Sequence, residues 1–95
     1  FGVTYQTPTK KLEAVPALVR SVLDSVDLAR LERVHFASYG DSSLNFEMVY
    51  YVASADYLVY MDVQQEINLE LYRTFEREGI EFAYPTQTLY VHKEA

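Results

Sequence analysis

Ninety-five residues, 49% of them hydrophobic and including nine Tyr and five Phe, suffice for one packed domain and are too aromatic for a disordered chain. The net charge of −6 is uneven: residues 1–40 carry five basic and four acidic side chains, residues 41–81 two basic and nine acidic. That is the reverse of the basic footprint a nucleic-acid binder needs, and the absence of cysteine excludes disulfides, thiolate metal sites and thiol catalysis. An acidic surface serves solubility, or it repels anions and concentrates cations locally. No apolar run approaches the roughly 20 residues of a membrane span, and no signal peptide is visible. A start at Phe1, with no Met and strand-like alternation from the first residue, reads as a piece of a longer protein.

In chain order, Phe1, Val3 and Tyr5 alternate as on a strand. The period then changes. Thr7 and Pro8 suit the N-cap and first position of a helix, and Leu12, Val15, Val19, Val22 and Val26 form its apolar stripe. Pro16 lies too deep for a first turn and predicts a kink there, or a helix that begins near it. Val34 and Phe36 alternate with His35 and Ala37 on a second strand, and Gly40-Asp41 with Ser42 and Ser43 reads as a turn. On a third strand Leu44, Phe46, Met48, Tyr50 and Val52 face one way, and Asn45, Glu47, Val49 and Tyr51 the other. This is the most apolar strand, so it belongs inside the sheet. Ser54 or Asp56 caps a second helix whose buried stripe is Val63, Ile67, Leu71 and Phe75, with Tyr60 one turn earlier. Gly79 is its left-handed C-cap, and a last strand starts at Ile80.

The order β-α-β-β-α-β predicts an α+β ferredoxin-like fold: a four-stranded antiparallel sheet in the order 4-1-3-2 with two helices on one face. Pro85 then falls in an edge strand, where a missing N–H is tolerated. The expected division is a domain over residues 1–85 and a C-terminal strand and tail over 86–95.

Groups able to carry out chemistry are sparse. His35 and His92 have no second His or carboxylate at metal-ligand spacing, so no metal site and no cofactor is expected. Asp41, Ser42 and Ser43 lack the elbow and base of a nucleophile. Glu47, in a central strand, calls for a partner on the next strand, either Arg33 or His35. Asp62, Gln64 and Gln65 form a polar patch early in the second helix. With glycine only at positions 2, 40 and 79 there is no phosphate loop, and "VTYQTPTKK" lacks the Arg of an acylphosphatase-like loop. Tyr51 and Thr4 stand where an RNA-recognition module carries base-stacking side chains, but the basic glycine-bearing strand motif is missing and the charge is wrong. An ACT-like small-ligand-binding regulatory domain stays open as an alternative, because fold alone does not decide function.

The blocks "YGDSSLNFEMVYYV", "YMDVQQEINLELYRTFEREGIEF" and "YPTQTLYV", with the opening "GVTYQTPTKKLEAVP", resemble the C-terminal cytoplasmic domain of MscS-like small-conductance mechanosensitive ion channels, over essentially the whole chain. The resemblance implies a non-enzymatic module of a membrane protein that acts in ion transport under osmotic stress. It implies a homo-heptamer on the cytoplasmic side of the cell membrane. Transmembrane helices and a middle β domain precede the segment, and ions and small solutes enter a cage through openings between subunits. It also implies that chain beyond the last domain strand joins its symmetry mates in a parallel β-barrel. Pro85 becomes the exit point, and Thr86, Gln87, Thr88, Leu89, Tyr90 and Val91 the oligomer interface. Asp62, Glu66 and Glu70 are then candidates for an acidic lining of the cage that favours cations.

Overall fold

The computed structural model describes residues 1–83. Its elements are β1 (Gly2–Val3), α1 (Thr9–Asp24), β2 (Ala29–Tyr39), β3 (Leu44–Val52) and α2 (Tyr57–Glu78). The chain is α+β, with a three-stranded antiparallel sheet in the order β1-β3-β2 and two helices. The most apolar strand is central, as its composition demands. Beyond the sheet, Phe82 forms an isolated antiparallel bridge to Val3 on the outer side of β1. The Thr4 N–H donates to the Glu81 carbonyl (3.1 Å) and the Ala83 N–H to the Gly2 carbonyl (2.9 Å). The expected strand past Pro85 and the tail 86–95, with His92, lie outside the described residues.

The opening strand is shorter than its alternation predicts. The Thr7 N–H (3.1 Å) and hydroxyl (2.8 Å) both donate to the Thr4 carbonyl, and these bonds turn the chain directly after Val3. Tyr5 therefore lies exposed, and its hydroxyl donates to the Gly40 carbonyl. The same turn corrects the expected cap. Thr7 is spent on Thr4, and Pro8 is the N-cap residue, with no side-chain cap and with Lys11 and Leu12 N–H groups both on its carbonyl at 3.0 Å. The helix starts at Thr9 and runs through Pro16 to Asp24, so the alternative start near Pro16 is also corrected. Tertiary burial of Val15, Val19, Val22 and Leu23 outweighs the hydrogen bond that Pro16 cannot donate.

The β2–β3 hairpin closes at Gly40, whose N–H donates to the Ser43 carbonyl at 2.7 Å. Asp41, Ser42 and Ser43 are its turn. Register shifts between Leu31 and Arg33 and between Phe36 and Ser38 interrupt β2. Neither shift falls between Val34 and Phe36, so Phe36 keeps the same face as buried Val34 and pairs with Phe46, yet it is exposed on this edge strand. It still stacks on Phe46, with centroids 5.2 Å apart. The bulges also roughen the long free edge of β2, which discourages edge-to-edge pairing.

α2 has strong boundaries. The Asp56 carboxylate accepts from the N–H groups of Leu58 (2.8 Å) and Val59 (3.3 Å), and Ser54 Oγ accepts from the Asp56 N–H (3.1 Å). At its other end Gly79 takes φ 74°, with its N–H on the Glu76 carbonyl (3.2 Å) and the Ile80 N–H on the Phe75 carbonyl (2.8 Å). This is a Schellman ending, and Ile80 is buried beside Phe75 within one core. The Lys11 ammonium donates to the Glu78 carbonyl and joins the start of α1 to the end of α2.

One core holds Val15, Val19, Val22 and Leu23 of α1, Val63, Ile67, Leu71 and Phe75 of α2, and Val3, Val34, Leu44 and Phe46 of the strands. Both helices thus cover the same face of β3. Ile67 is fully buried, so Ile67→Ala is expected to cost about 2–5 kcal/mol in a denaturant titration. Leu28 holds φ 70° with its side chain half exposed in the turn before β2, a conformation that strains an L-residue by about 1–2 kcal/mol. Leu28→Gly is expected to raise stability by about 1 kcal/mol. Gly79→Ala is expected to lower it by a similar amount, because the new Cβ meets only Lys11 Nζ at 3.5 Å and only the backbone is strained. The two denaturation midpoints should move in opposite directions.

Candidate functional site

Two surfaces remain once the core is closed. The first is the outer side of α2. Asp62, Glu66 and Glu70 recur every four residues, which places them on one stripe along the helix. Asp62 and Glu66 are exposed and make no ion pair or side-chain hydrogen bond among the described residues. Glu70 is half-buried and engaged: Arg73 donates to its Oε1 from Nε (3.0 Å) and Nη2 (2.5 Å). The stripe therefore offers two free carboxylates and one neutralised pair.

Beside it runs a second stripe, which the charged pattern conceals. Tyr57, Leu58, Met61, Leu69 and Tyr72 all project from α2 into solvent, with Leu58 71% and Tyr72 56% exposed. The spacing of Leu58, Met61, Leu69 and Tyr72 repeats at helical period, displaced by about half a turn from the buried Val63, Ile67 and Leu71. α2 thus has three longitudinal faces: core, acidic and exposed apolar. A count of apolar residues on both sides of the helix would have found the third. Reading only the buried stripe misses it.

The second surface is the open face of the sheet. Cross-strand partners on it are Arg30 with Tyr51, Arg33 with Val49, and His35 with Glu47. Glu47 pairs with Arg33 (Nη1 to Oε1, 2.8 Å) rather than with its register partner His35. The Arg33 hydrogen bond and charge hold the Glu47 carboxyl below its usual range, and His35 adds a smaller pull in the same direction. Both partners are well exposed, so the pair organises the face more than it stabilises the fold. Arg30 lies over the Tyr51 ring, 4.9 Å from its centroid, a cation–π contact on the same face. On the opposite, core-facing side, burial pushes the Tyr50 phenol up, and Tyr60 adds to the shift.

A cleft of about 500 Å³ lies where β1 and the end of α2 meet the departing chain, between Thr4, Gln6, Tyr72, Glu76 and Glu81. The charged residues that line it are Glu76 and Glu81. Among the described residues no three His, Asp or Glu side chains gather to hold a metal, and no helix is long and apolar enough to cross a membrane. The expected interface from Pro85 to Val91 lies outside the described residues.

Residues 1–82 match the family model described as "Mechanosensitive ion channel MscS, C-terminal". The chain is 37% identical over 95 residues to the small-conductance mechanosensitive channel MscMJ of Methanocaldococcus jannaschii, covering 99% of this chain and 27% of that protein. It is 37% identical over 99 residues to the large-conductance channel MscMJLR of the same organism, again covering 99% of this chain and 27% of the relative. Against the low conductance mechanosensitive channel YnaI of Escherichia coli the identity is 29% over 94 residues, with 96% of this chain and 27% of the relative covered. The chain thus spans about a quarter of the length of these relatives. A family match across all five elements, joined to an α+β fold built on the quoted sequence blocks, leads to one conclusion: this chain belongs to the MscS mechanosensitive ion channel family and corresponds to its C-terminal domain.

Proposed function

We propose that the chain is the vestibule, or cage, domain of a mechanosensitive ion channel on the cytoplasmic side of the cell membrane. In this role it supports assembly and solute access to the pore rather than catalysis. The observation that carries the reading is the family match over residues 1–82, in a chain whose relatives are named as small-, large- and low-conductance mechanosensitive channels. The partners are six further copies, the transmembrane and middle β domains of the same protein, and permeating ions.

The exit of the chain supports the assembly role. Glu81 and Ala83 bond to Thr4 and Gly2, and Phe82 bridges to Val3, on the outer side of β1, the position that a fourth strand in the order 4-1-3-2 would take. Pro85 follows two residues later and cannot donate to that ladder. In this proposal the domain's own pairing ends there, and Thr86 to Val91 pair with other copies. A closed ring of strands removes the exposed edges that a single copy would leave. Deleting residues 85–95 from the full-length protein is expected to lower the yield of assembled channel, measured by native mass spectrometry in detergent. An unchanged stoichiometry and yield would reject the assembly role of the tail.

The acidic stripe supports a role in solute access. Asp62 and Glu66 are free to act on passing ions, and Glu70 contributes less because Arg73 neutralises it. The combined Asp62→Asn, Glu66→Gln and Glu70→Gln variant is expected to shift the reversal potential of the full-length channel under a salt gradient toward lower cation preference. Glu70→Gln alone should have the smallest effect. A triple variant with the parental reversal potential rules out the charge filter.

A further inference from the structure

We propose that the edge of β3 beyond Phe46 is a slot for one more length of strand, and that its occupant is the segment immediately preceding Phe1 in the longer protein. The inference rests on the reading above, in which this chain is the C-terminal part of a channel, and it names the contact that joins the domain to what comes before it. β1 pairs with β3 through Gly2 with Asn45 and Val3 with Leu44. Phe1 continues that ladder: its amino group donates to the Phe46 carbonyl (3.0 Å), and its carbonyl accepts from the Phe46 N–H (2.8 Å). In the longer protein the Phe1 peptide N–H takes the place of that amino group. β3 itself runs on to Val52. Hydrogen-bonding direction alternates along an antiparallel strand, so Met48 and Tyr50 point their N–H and C=O groups to the same side as Phe46. Among the described residues nothing pairs with them on that side. Burial changes at the same boundary. Leu44 and Phe46, opposite β1, are buried, whereas Met48, Tyr50 and Val52 on the same face of β3 are only half-buried.

A groove of about 440 Å³ opens where β1 runs out. Phe1, Phe46, Met48, Leu71, Tyr72 and Phe82 line it, together with Asn68 and Glu47. Phe1 and Val3 turn their side chains toward the core. Alternation therefore sends the second residue before Phe1 to the core side and the first to the open face. The continued register sets the first opposite Glu47, the second opposite Met48 and the fourth opposite Tyr50. The second residue thus enters a mainly apolar, aromatic groove, which favours a large apolar side chain and rejects a charged one. Other occupants fit less well. Glu81, Phe82 and Ala83 lie on the far side of β1, which separates them from β3. A strand from a second copy would have to abut Phe1 with nothing to set its register, whereas the preceding segment is tethered at Phe1 and already aligned. The junction with the preceding part of the protein is then a paired extension of β1 rather than a free linker.

The test is a disulfide in the full-length protein, in a cysteine-free background. Opposed residues of a non-hydrogen-bonded antiparallel pair have Cα atoms about 4.5 Å apart, within the span of a disulfide. Glu47→Cys, combined with a cysteine in place of the residue immediately before Phe1, forms such a pair. Mild oxidation is expected to link the two within one chain, giving a monomer band on a denaturing gel and the joined peptides in a non-reducing digest. Met48→Cys with the same partner, on opposite faces of the sheet, should give about tenfold less product. In the protein without substitutions, the Met48 and Tyr50 amides should exchange with deuterium roughly 100-fold more slowly than in an open chain. Exchange at the open-chain rate overturns the proposal even where the cysteine variants fail to fold. Dimers from Glu47→Cys alone, with no intrachain link from the pair, would overturn it in favour of a second copy. A link between Glu47→Cys and Thr88→Cys of the same chain would overturn it in favour of the chain's own tail. A protein that carries tension-gated current but shows neither link nor protection overturns this contact alone. Link and protection without such a current support the contact and overturn the channel reading.

Discussion

The packing of Phe1, Phe46, Phe75 and Phe82 ties together parts of the chain that are distant in sequence. Phe1 stacks on Phe46 at 5.5 Å and meets Phe75 and Phe82 edge-on at 5.5 and 5.8 Å. Phe75 and Phe82 stack at 4.9 Å. Four rings thus join the first residue, the central strand, the end of α2 and the chain leaving the domain. Each ring buries a large apolar area, and offset or edge-on contacts of this kind add about 0.5–1.5 kcal/mol each beyond burial. Backbone bonds run parallel to them: Phe46 N–H donates to the Phe1 carbonyl at 2.8 Å.

That cluster sets the direction of everything outside it. It holds Phe82 against β1, so the chain departs along the sheet edge. It also anchors the C-terminal turn of α2, which fixes the rotation of the helix about its axis. With Phe75 and Leu71 held inward, Asp62 and Glu66 are turned to solvent, and the Leu58–Tyr72 strip comes to lie beside them. The two outer surfaces of the molecule, one acidic and apolar, the other carrying Arg30 and Arg33 around Tyr51, are consequences of one aromatic lock and one central strand.

Much of this was legible in the chain itself. The period-four stripe Val63, Ile67, Leu71, Phe75, the Asp56 cap and the Gly79 ending rest on local rules, and local rules suffice for them. The hairpin turn at Gly40 and the inward face of β3 follow from turn chemistry and alternation. Glu47 needed a neighbour, and position limited the choice to Arg33 or His35. Family membership was likewise carried by sequence blocks spread from the first strand to the last.

Other features depend on contacts between residues that no local window contains. Thr7 looks like a helix cap, but its hydroxyl and N–H bind Thr4, so the first strand ends early and Pro8 takes the cap position. Pro16 looks like a helix break, yet the burial of Val15 and Val19 holds the helix through it. Phe36 keeps its sequence alternation and its pairing with Phe46, yet it is exposed, because the sheet order leaves β2 at the edge. The apolar strip on α2 is visible as letters, but only the packed core decides which of two apolar stripes faces inward. Local propensity and period therefore determined the five described elements and their order. Side-chain competition across the fold decided where they end, which way they turn and which surfaces remain for a partner.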